Sequence, residues 1–264
     1  MQAFEYRTAT SLADALAAVK AGAKPLAGGQ TLLQTMKMGL ATPESLVDLN
    51  GIDELRRIEV SGNTVKIGAM ATHASVAASA EVRQAIPALA ELAGLIGDRQ
   101  VRNRGTIGGS LANSDPAACY PAAVLGLGAT VHTDRRSIAA DDYFKGLYET
   151  ALDDGELITA VSFPVPQKAA WQKFRQQASR FSLVGVFVSQ GPQGVRVAVT
   201  GAGPCAFRVK ALEDKLAASW SAQSCEGVKV DAGELNSDLH GSAEYRAALI
   251  PVLAGRAVAA TLAS

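Results

Sequence analysis

The sequence predicts an α+β chain in two parts, divided near Val165, and three observations carry this. Before that point, short β-rich runs alternate with short helical patterns. Around it, PVPQKAA interrupts the pattern with two prolines, the strongest linker signal in the chain. After it, WQKFRQQASR, SLVGVFVSQ and GVRVAVTGAG are three β-rich runs, and two helical patterns follow near 207–218 and 242–262. The expected units are therefore 1–165 and 166–264.

Taken in order, TSLADALAAVKAG reads as a helix. Ser11 and Asp14 make a capping box, Leu12, Ala15, Leu16 and Val19 form one apolar stripe, and Gly22 ends it. KPLAGG reads as a strand entering a glycine turn, and SLVDLN as a second strand. LRRIEVSGNTVKIGAM reads as a hairpin turning at Ser61-Gly62-Asn63. Residues 72–97 carry a helical pattern that Pro87 breaks into two helices. ATVHT and ELITAVSFPVP are strand candidates, and Gly191-Pro192-Gln193-Gly194 joins the last two β-rich runs.

Composition excludes several classes. The 264 residues balance 25 basic against 25 acidic side chains, which argues against a polyanion binder such as a nucleic-acid protein. No stretch reaches the ~18 consecutive apolar residues of a membrane span. MQAFEYRTAT has no basic region leading into an apolar run, so no signal peptide is expected. Cys119, Cys205 and Cys225 share no metal-ligand spacing, and their odd number fits a reducing cytoplasm. His73, His132 and His240 are scattered, and no G-x-S-x-G nucleophile motif occurs.

Two glycine pairs are the chemically suggestive feature. AGGQT (27–31) and TIGGS (106–110) each place adjacent glycines before an apolar segment. Without a Cβ, the backbone can adopt φ > 0 and approach a ligand closely, and successive N–H groups form an anion nest suited to a pyrophosphate. Thr31, Thr106 and Ser110 add hydroxyls. The competing reading is ordinary turn chemistry between strand and helix. A third glycine segment, Gly201-x-Gly203-x-x-Ala206, matches a Rossmann fingerprint formally, but Pro204 lacks an N–H and Asp231 lies too far downstream. Arg99, Arg102 and Arg104 suit a phosphate, a partner surface or a solvated helix end. Met36 and Met38 read as packing, and Tyr120 and Phe181 as core residues or stacking partners.

KPLAGGQTLLQTMKMGLATPESLVDLN, IGAMATHASV and GDRQVRNRGTIGGSLANSDPAACYPAAVLGLGATV together resemble the FAD-binding medium subunit of the molybdenum hydroxylases, the xanthine dehydrogenase and carbon monoxide dehydrogenase group. The resemblance spans nearly the whole chain, with both glycine motifs in order and at matching spacing. It implies a two-part FAD-binding domain of the vanillyl-alcohol-oxidase (PCMH) type, then a small domain of three-stranded antiparallel sheet plus helices. It also implies non-covalent FAD, whose two phosphates lie on the two glycine segments. By the resemblance, Leu26, Ala27, Gly28, Gly29, Gln30, Thr31, Leu32 and Leu33 form the first binding loop. Thr106, Gly109, Ser110, Asn113 and Asp115 belong to the second segment, and Ile96 and Ile158 lie near the flavin. Cys119 stands where many members carry an Asp that holds the ribose, and Gln176 where some carry a lysine near the flavin. GAGPCAFR is similar to the family's G-x-x-P-x-x-x-R turn, which removes the Rossmann reading.

The resemblance further implies partners: a large subunit with the molybdenum cofactor and a small subunit with two [2Fe–2S] clusters, in a heterotrimer or a dimer of heterotrimers. The chain itself has no cysteine spacing for a cluster. Its expected role is to pass electrons from those clusters through FAD to an external acceptor, with no catalytic side chain of its own. The alternatives are a self-contained flavin reductase of the same fold that uses NADPH, and a scaffold subunit that has lost FAD through Cys119.

Overall fold

The computed structural model describes residues 2–263. Its first sheet is small and parallel: β1 (Glu5–Thr8), β2 (Lys24–Leu26) and β3 (Ser45–Asp48), in the order β1-β3-β2. Pro25 sits in the edge strand β2, where a residue without an N–H is tolerated. α1 (Leu12–Lys20) links β1 to β2. Ser11 Oγ caps it from Asp14 N–H at 3.1 Å, while the Asp14 carboxylate accepts from Thr10 N–H at 3.3 Å, one residue earlier than a capping box requires. α2 (Leu32–Lys37) follows the first glycine pair.

The second sheet is antiparallel. β4 (Ile58–Ser61) and β5 (Thr64–Gly68) form the expected hairpin, with Gly62 at φ +55°. β6 (Thr130–Thr133) and β7 (Ser137–Ala139) join them through the seven-residue β10 (Ile158–Pro164), in the order β4-β5-β10-β6-β7. A separate hairpin, β8 (Phe144–Gly146) with β9 (Glu149–Thr150), follows the short α9 (Ala140–Tyr143).

Between β5 and β6 the chain is helical. Residues 72–97 hold three helices rather than two: α3 (His73–Ala78), α4 (Ala80–Ala85) and α5 (Pro87–Gly94). The additional break is at Ser79, whose hydroxyl accepts from Val82 N–H at 3.2 Å and so starts a new helix. Pro87 opens α5 instead of ending a helix. α6 (Arg99–Arg104), α7 (Ile107–Asn113) and α8 (Tyr120–Leu127) complete the run.

The C-terminal sheet is β11 (Lys168–Arg175), β12 (Ser182–Gly191), β13 (Gly194–Thr200) and β14 (Phe207–Arg208), in that order and antiparallel. It has four strands where three were expected, because the chain turns at Gly201 (φ +84°) and returns to lay Phe207 and Arg208 against Val199 and Ala198. No helix opens on these glycines: α10 (Lys210–Ala218) starts after β14. α11 (Ala243–Ala263) packs on β11 and β12 and buries Ile250, Leu253, Ala254, Ala257 and Val258. Among the described residues it is the one helix long and apolar enough to cross a membrane by length and composition.

The largest apolar core joins residues of the second sheet, α3–α5 and α7–α9 to Trp171, Phe187, Ala198 and Ala206 of the C-terminal segment. α8 lies at its centre with all eight residues buried. An ion-pair chain crosses the same boundary: Asp141 of α9 accepts from Arg196 and Arg208, and Arg208 also grips Glu213 of α10 at 2.7 Å. Burial alone would raise the Glu213 carboxyl, but the Arg208 guanidinium, the Val197 N–H and the Lys210 ammonium outweigh it and hold the carboxyl below its usual range.

Candidate FAD site

Parallel strand β2 delivers the chain to Ala27, and Gly29 turns it at φ +70° into α2. Leu33 N–H donates to Gly29 O at 3.2 Å, which closes the turn. Among the described residues, the N–H groups of Gly28, Gly29, Gln30 and Thr31 have no acceptor within the chain. Four successive free donors, that of Gly28 on a buried residue, call for an outside partner. Thr31 leads α2, yet its hydroxyl makes no capping bond and is free as well. Gln30 Nε2 donates back to Gly28 O at 3.3 Å.

A side-chain network that sequence reasoning missed holds this loop from behind. Asn50 Nδ2 donates to Ala27 O at 3.3 Å. Asn50 is itself fixed by Asp48 Oδ1 at 2.6 Å and by Arg56, which donates to its Oδ1 at 2.8 Å, and the Tyr6 hydroxyl donates to Asp48 Oδ2 at 2.6 Å. The only signal in the sequence is polar residues at the end of a strand, which is common to many folds.

The second glycine segment abuts the first. A Cβ on Gly28 would stand 2.1 Å from Arg104 O and 2.8 Å from Gly105 Cα, and a Cβ on Gly109 would stand 3.6 Å from Ala27 Cβ. The two motifs, some eighty residues apart in the chain, thus form the two walls of one cradle. Their chemistry differs from the expectation of two nests. TIGGS is the start of α7, and its donors are spent inside the chain: Ile107 N–H on Ala71 O, Gly108 N–H on Ala69 O, Gly109 N–H on Thr106 Oγ1 and Ser110 N–H on Thr106 O. Gly108 permits packing, since a Cβ there would lie 2.6 Å from that of Ala69. What α7 offers a ligand is side chains: Ser110 and Asn113, each half-buried with no partner in the chain among the described residues.

Asp115 follows α7, and its Oδ1 accepts from Ala117 N–H at 2.8 Å. Burial raises its carboxyl above the usual range, and its charge in turn raises the Tyr148 phenol at the tip of the β8–β9 hairpin. Tyr148, exposed and at φ +56°, escaped the sequence reading. Residues 116–118 are sewn to the C-terminal sheet by Thr200 Oγ1, which donates to Pro116 O at 2.9 Å and Ala118 O at 2.7 Å.

Cys119 precedes α8 and is buried, with its Sγ 3.2 Å from Lys173 Nζ and 3.6 Å from Ser182 Oγ. Lys173 Nζ also donates to Leu95 O at 3.2 Å, and this ties Cys119 to the turn that carries Ile96. Arg102 donates to Ile96 O at 3.0 Å and Gly97 O at 3.1 Å, and Arg180 to Gly97 O at 3.2 Å, so three cations hold that turn. Arg102 is therefore structural, while Arg99 and Arg104 are exposed and unpaired among the described residues. The lysine of this region is Lys173 on β11; Gln176 lies in the following turn, where its carbonyl accepts from Arg180 N–H at 2.9 Å. Ile158 is buried at the start of β10. Its neighbour Thr159 accepts from Ala69 N–H at 2.9 Å, and Ala69 accepts from Gly108 N–H at 2.8 Å, so β10 backs onto α7. Leu26, Leu32 and Leu33 pack behind the first loop with Met36 and give it apolar support.

His73 stands behind the joint between the two parts of the second motif. A Cβ on Gly105 would lie 2.5 Å from its Nε2, its backbone N–H donates to Gly105 O at 2.9 Å, and its ring tilts against Tyr120 at 5.3 Å. Burial first, and the Arg102 charge second, push its imidazole down to about 4. Among the described residues no group of three His, Cys, Asp or Glu side chains is placed to hold a metal. The free donors of Gly28–Thr31, with the second glycine segment packed against them too closely for a Cβ at Gly28, suit the diphosphate of a dinucleotide.

Comparison with known proteins agrees. Residues 2–166 match the family described as the FAD binding domain in molybdopterin dehydrogenase. The carbon monoxide dehydrogenase medium chain of Hydrogenophaga pseudoflava is 34% identical, covering 98% of this chain and 97% of its own. The nicotine 6-hydroxylase medium subunit of Paenarthrobacter nicotinovorans is 36% identical over 98% and 97%. Among solved structures, the H. pseudoflava carbon monoxide dehydrogenase that lacks the Mo-pyranopterin moiety superposes with a TM-score of 0.88 at 34% identity, covering 99% of this chain and 98% of that one. Quinoline 2-oxidoreductase from Pseudomonas putida 86 superposes with a TM-score of 0.86 at 30% identity over 98% and 97%. With its free-donor glycine loop, its second glycine segment packed alongside and these relatives matched end to end, the chain belongs to the FAD-binding medium subunits of the molybdenum hydroxylases, a family of oxidoreductases.

Proposed function

We propose that this chain is the electron-transfer subunit of a cytoplasmic molybdenum hydroxylase, assembled with a large molybdenum subunit and a small [2Fe–2S] subunit in a heterotrimer or a dimer of heterotrimers. The observation that carries the reading is the row of four free N–H groups at Gly28–Thr31. These donors bind the cofactor diphosphate, Gly28 and Gly109 keep the walls close, and Ser110, Asn113 and Asp115 orient the cofactor along α7. The cationic clamp on residues 95–97 fixes Ile96 at the flavin end, and Ile158 shields that end from water. Arg99 and Arg104 are free to meet a partner subunit. The redox chemistry is supplied by the flavin when it is bound, drawing electrons from the partner clusters and releasing them to an external acceptor. No side chain of this chain moves a proton in that sequence.

Two experiments test this. Acid precipitation of the purified chain releases a yellow cofactor that mass spectrometry identifies as FAD; recovery of FMN alone, or of no flavin, overturns the site. Tagged chain from its native host brings down a molybdenum subunit and an iron–sulfur subunit. A chain that is isolated alone and turns over a substrate with NADPH overturns the electron-transfer role.

A further inference from the structure

The contact between Cys119 and Lys173 is unlike the surroundings of the other two thiols. Cys225 lies in the aliphatic core under α11, where burial pushes its thiol up to about 11. Cys205 is half-buried, and burial raises its thiol as well. Among the described residues neither is hydrogen-bonded to a lysine. Cys119 has the Lys173 amine at 3.2 Å from its sulfur and the Ser182 hydroxyl at 3.6 Å. Its residue is 4% exposed, Ser182 beside it is buried, and Lys173 is half-buried. Two nucleophiles in contact, one oxidisable and one able to trap the product, make up a reactive pair.

We propose that Cys119 and Lys173 form an oxidative modification site, at which a peroxide converts the pair into a covalent sulfenamide linking the start of α8 to β11. In the first step the Cys119 sulfur attacks a peroxide oxygen. The O–O bond breaks, sulfur loses two electrons, and the thiol becomes a sulfenic acid with release of one water from hydrogen peroxide. In the second step the Lys173 ammonium gives one proton to solvent, and the amine attacks the sulfenic sulfur. The S–N bond forms as the S–O bond breaks, and the departing hydroxide takes the second nitrogen proton and leaves as water. Sulfenic acids are known to be trapped by a neighbouring nitrogen in this way, which halts further oxidation. Two external thiols reverse the link, returning thiol and amine and leaving as a disulfide. The modification removes the Lys173 charge and takes the ammonium donor away from Leu95 O, so it loosens the turn that carries Ile96. It requires no bound flavin.

The test uses the full chain, prepared with and without FAD so that failure to bind flavin is seen separately. After treatment with excess hydrogen peroxide, intact mass spectrometry finds most wild-type chains lighter by two hydrogens. Peptide mapping joins the Cys119 peptide to the one containing Lys173, with tryptic cleavage after Lys173 lost, and dithiothreitol restores the original masses. Cys119→Ser and Lys173→Arg, checked for folding by circular dichroism, give no link. In Lys173→Arg, Cys119 runs on to the sulfinic acid. The proposal is overturned if wild-type Cys119 goes to sulfinic acid without a link, if it stays a free thiol, or if the mass loss maps to a disulfide among Cys119, Cys205 and Cys225. The wild-type map decides the question alone should either variant misfold.

Discussion

At the scale of single residues, the glycines of the cradle separate into two kinds. Gly28 is required for a close approach, because its Cβ would collide with the backbone of residues 104 and 105, which cannot swing aside. Gly29 is required for its backbone conformation at φ +70°. Gly28→Ala and Gly29→Val therefore both displace the free donors. Losing one charge-assisted hydrogen bond costs about 1.5–3 kcal/mol, so FAD affinity falls by roughly one to two decades per donor lost. Gly109→Val acts differently, pressing on the Thr106 hydroxyl 3.0 Å away and disturbing the start of α7. Fluorescence titration of the apo-protein with FAD measures all three, and unchanged affinity throughout would assign these glycines to packing alone. His73 supplies a pH signature. Its imidazole ionises in the folded chain only near pH 4, against about 6.5 when unfolded. Protonation thus favours the unfolded state, so the stability His73 confers is full above pH 6.5 and is lost as pH falls towards 4. The span corresponds to about 3 kcal/mol. Urea midpoints measured across that window fall steeply for the wild type and less steeply for His73→Gln.

At the scale of elements, α8 is the informative case. YPAAVLGL has no polar face, so it shows no periodicity to read, and only its burial on every side explains it. Gly126 brings it onto the C-terminal sheet, since a Cβ there would stand 2.8 Å from a Phe187 ring carbon. Gly126→Val overpacks this contact and lowers stability by about 1–3 kcal/mol. Chemical denaturation should show that loss, with FAD affinity preserved in the folded fraction. The turn at 95–97 is the other element that a sequence window cannot reveal. Its three cationic donors come from α6, β11 and the loop after β11, up to 83 positions away in the chain.

At the scale of the molecule, the proline-marked linker does not divide the core. Trp171 and Phe187 belong to the same apolar cluster as Val65 and Leu89, and Asp141 pairs with Arg196 and Arg208 across the boundary. Residues 1–165 expressed alone therefore lose one wall of their core and aggregate or remain molten. A fragment that melts cooperatively and binds FAD as tightly as the whole chain would show that the first part folds independently.

Local chemistry is what the sequence determines by itself. β2, the β4–β5 hairpin and the three long C-terminal strands are legible because alternation and turn residues act over a few positions. The two glycine motifs stand out because a Cβ has no room at Gly28 or Gly108 and Gly29 turns at a positive φ. β1, α6, α8 and the small β8–β9 hairpin are not legible, being either too short or too uniformly apolar to carry a period. The tertiary structure alone decided that the glycine pairs share one cradle, and that only the first keeps its N–H groups free. It also decided that Asn50 supports the loop, and that Cys119 meets Lys173 rather than standing alone. Each of these depends on distances between segments remote in the chain, and those distances are set by how α7, α8 and the sheets pack.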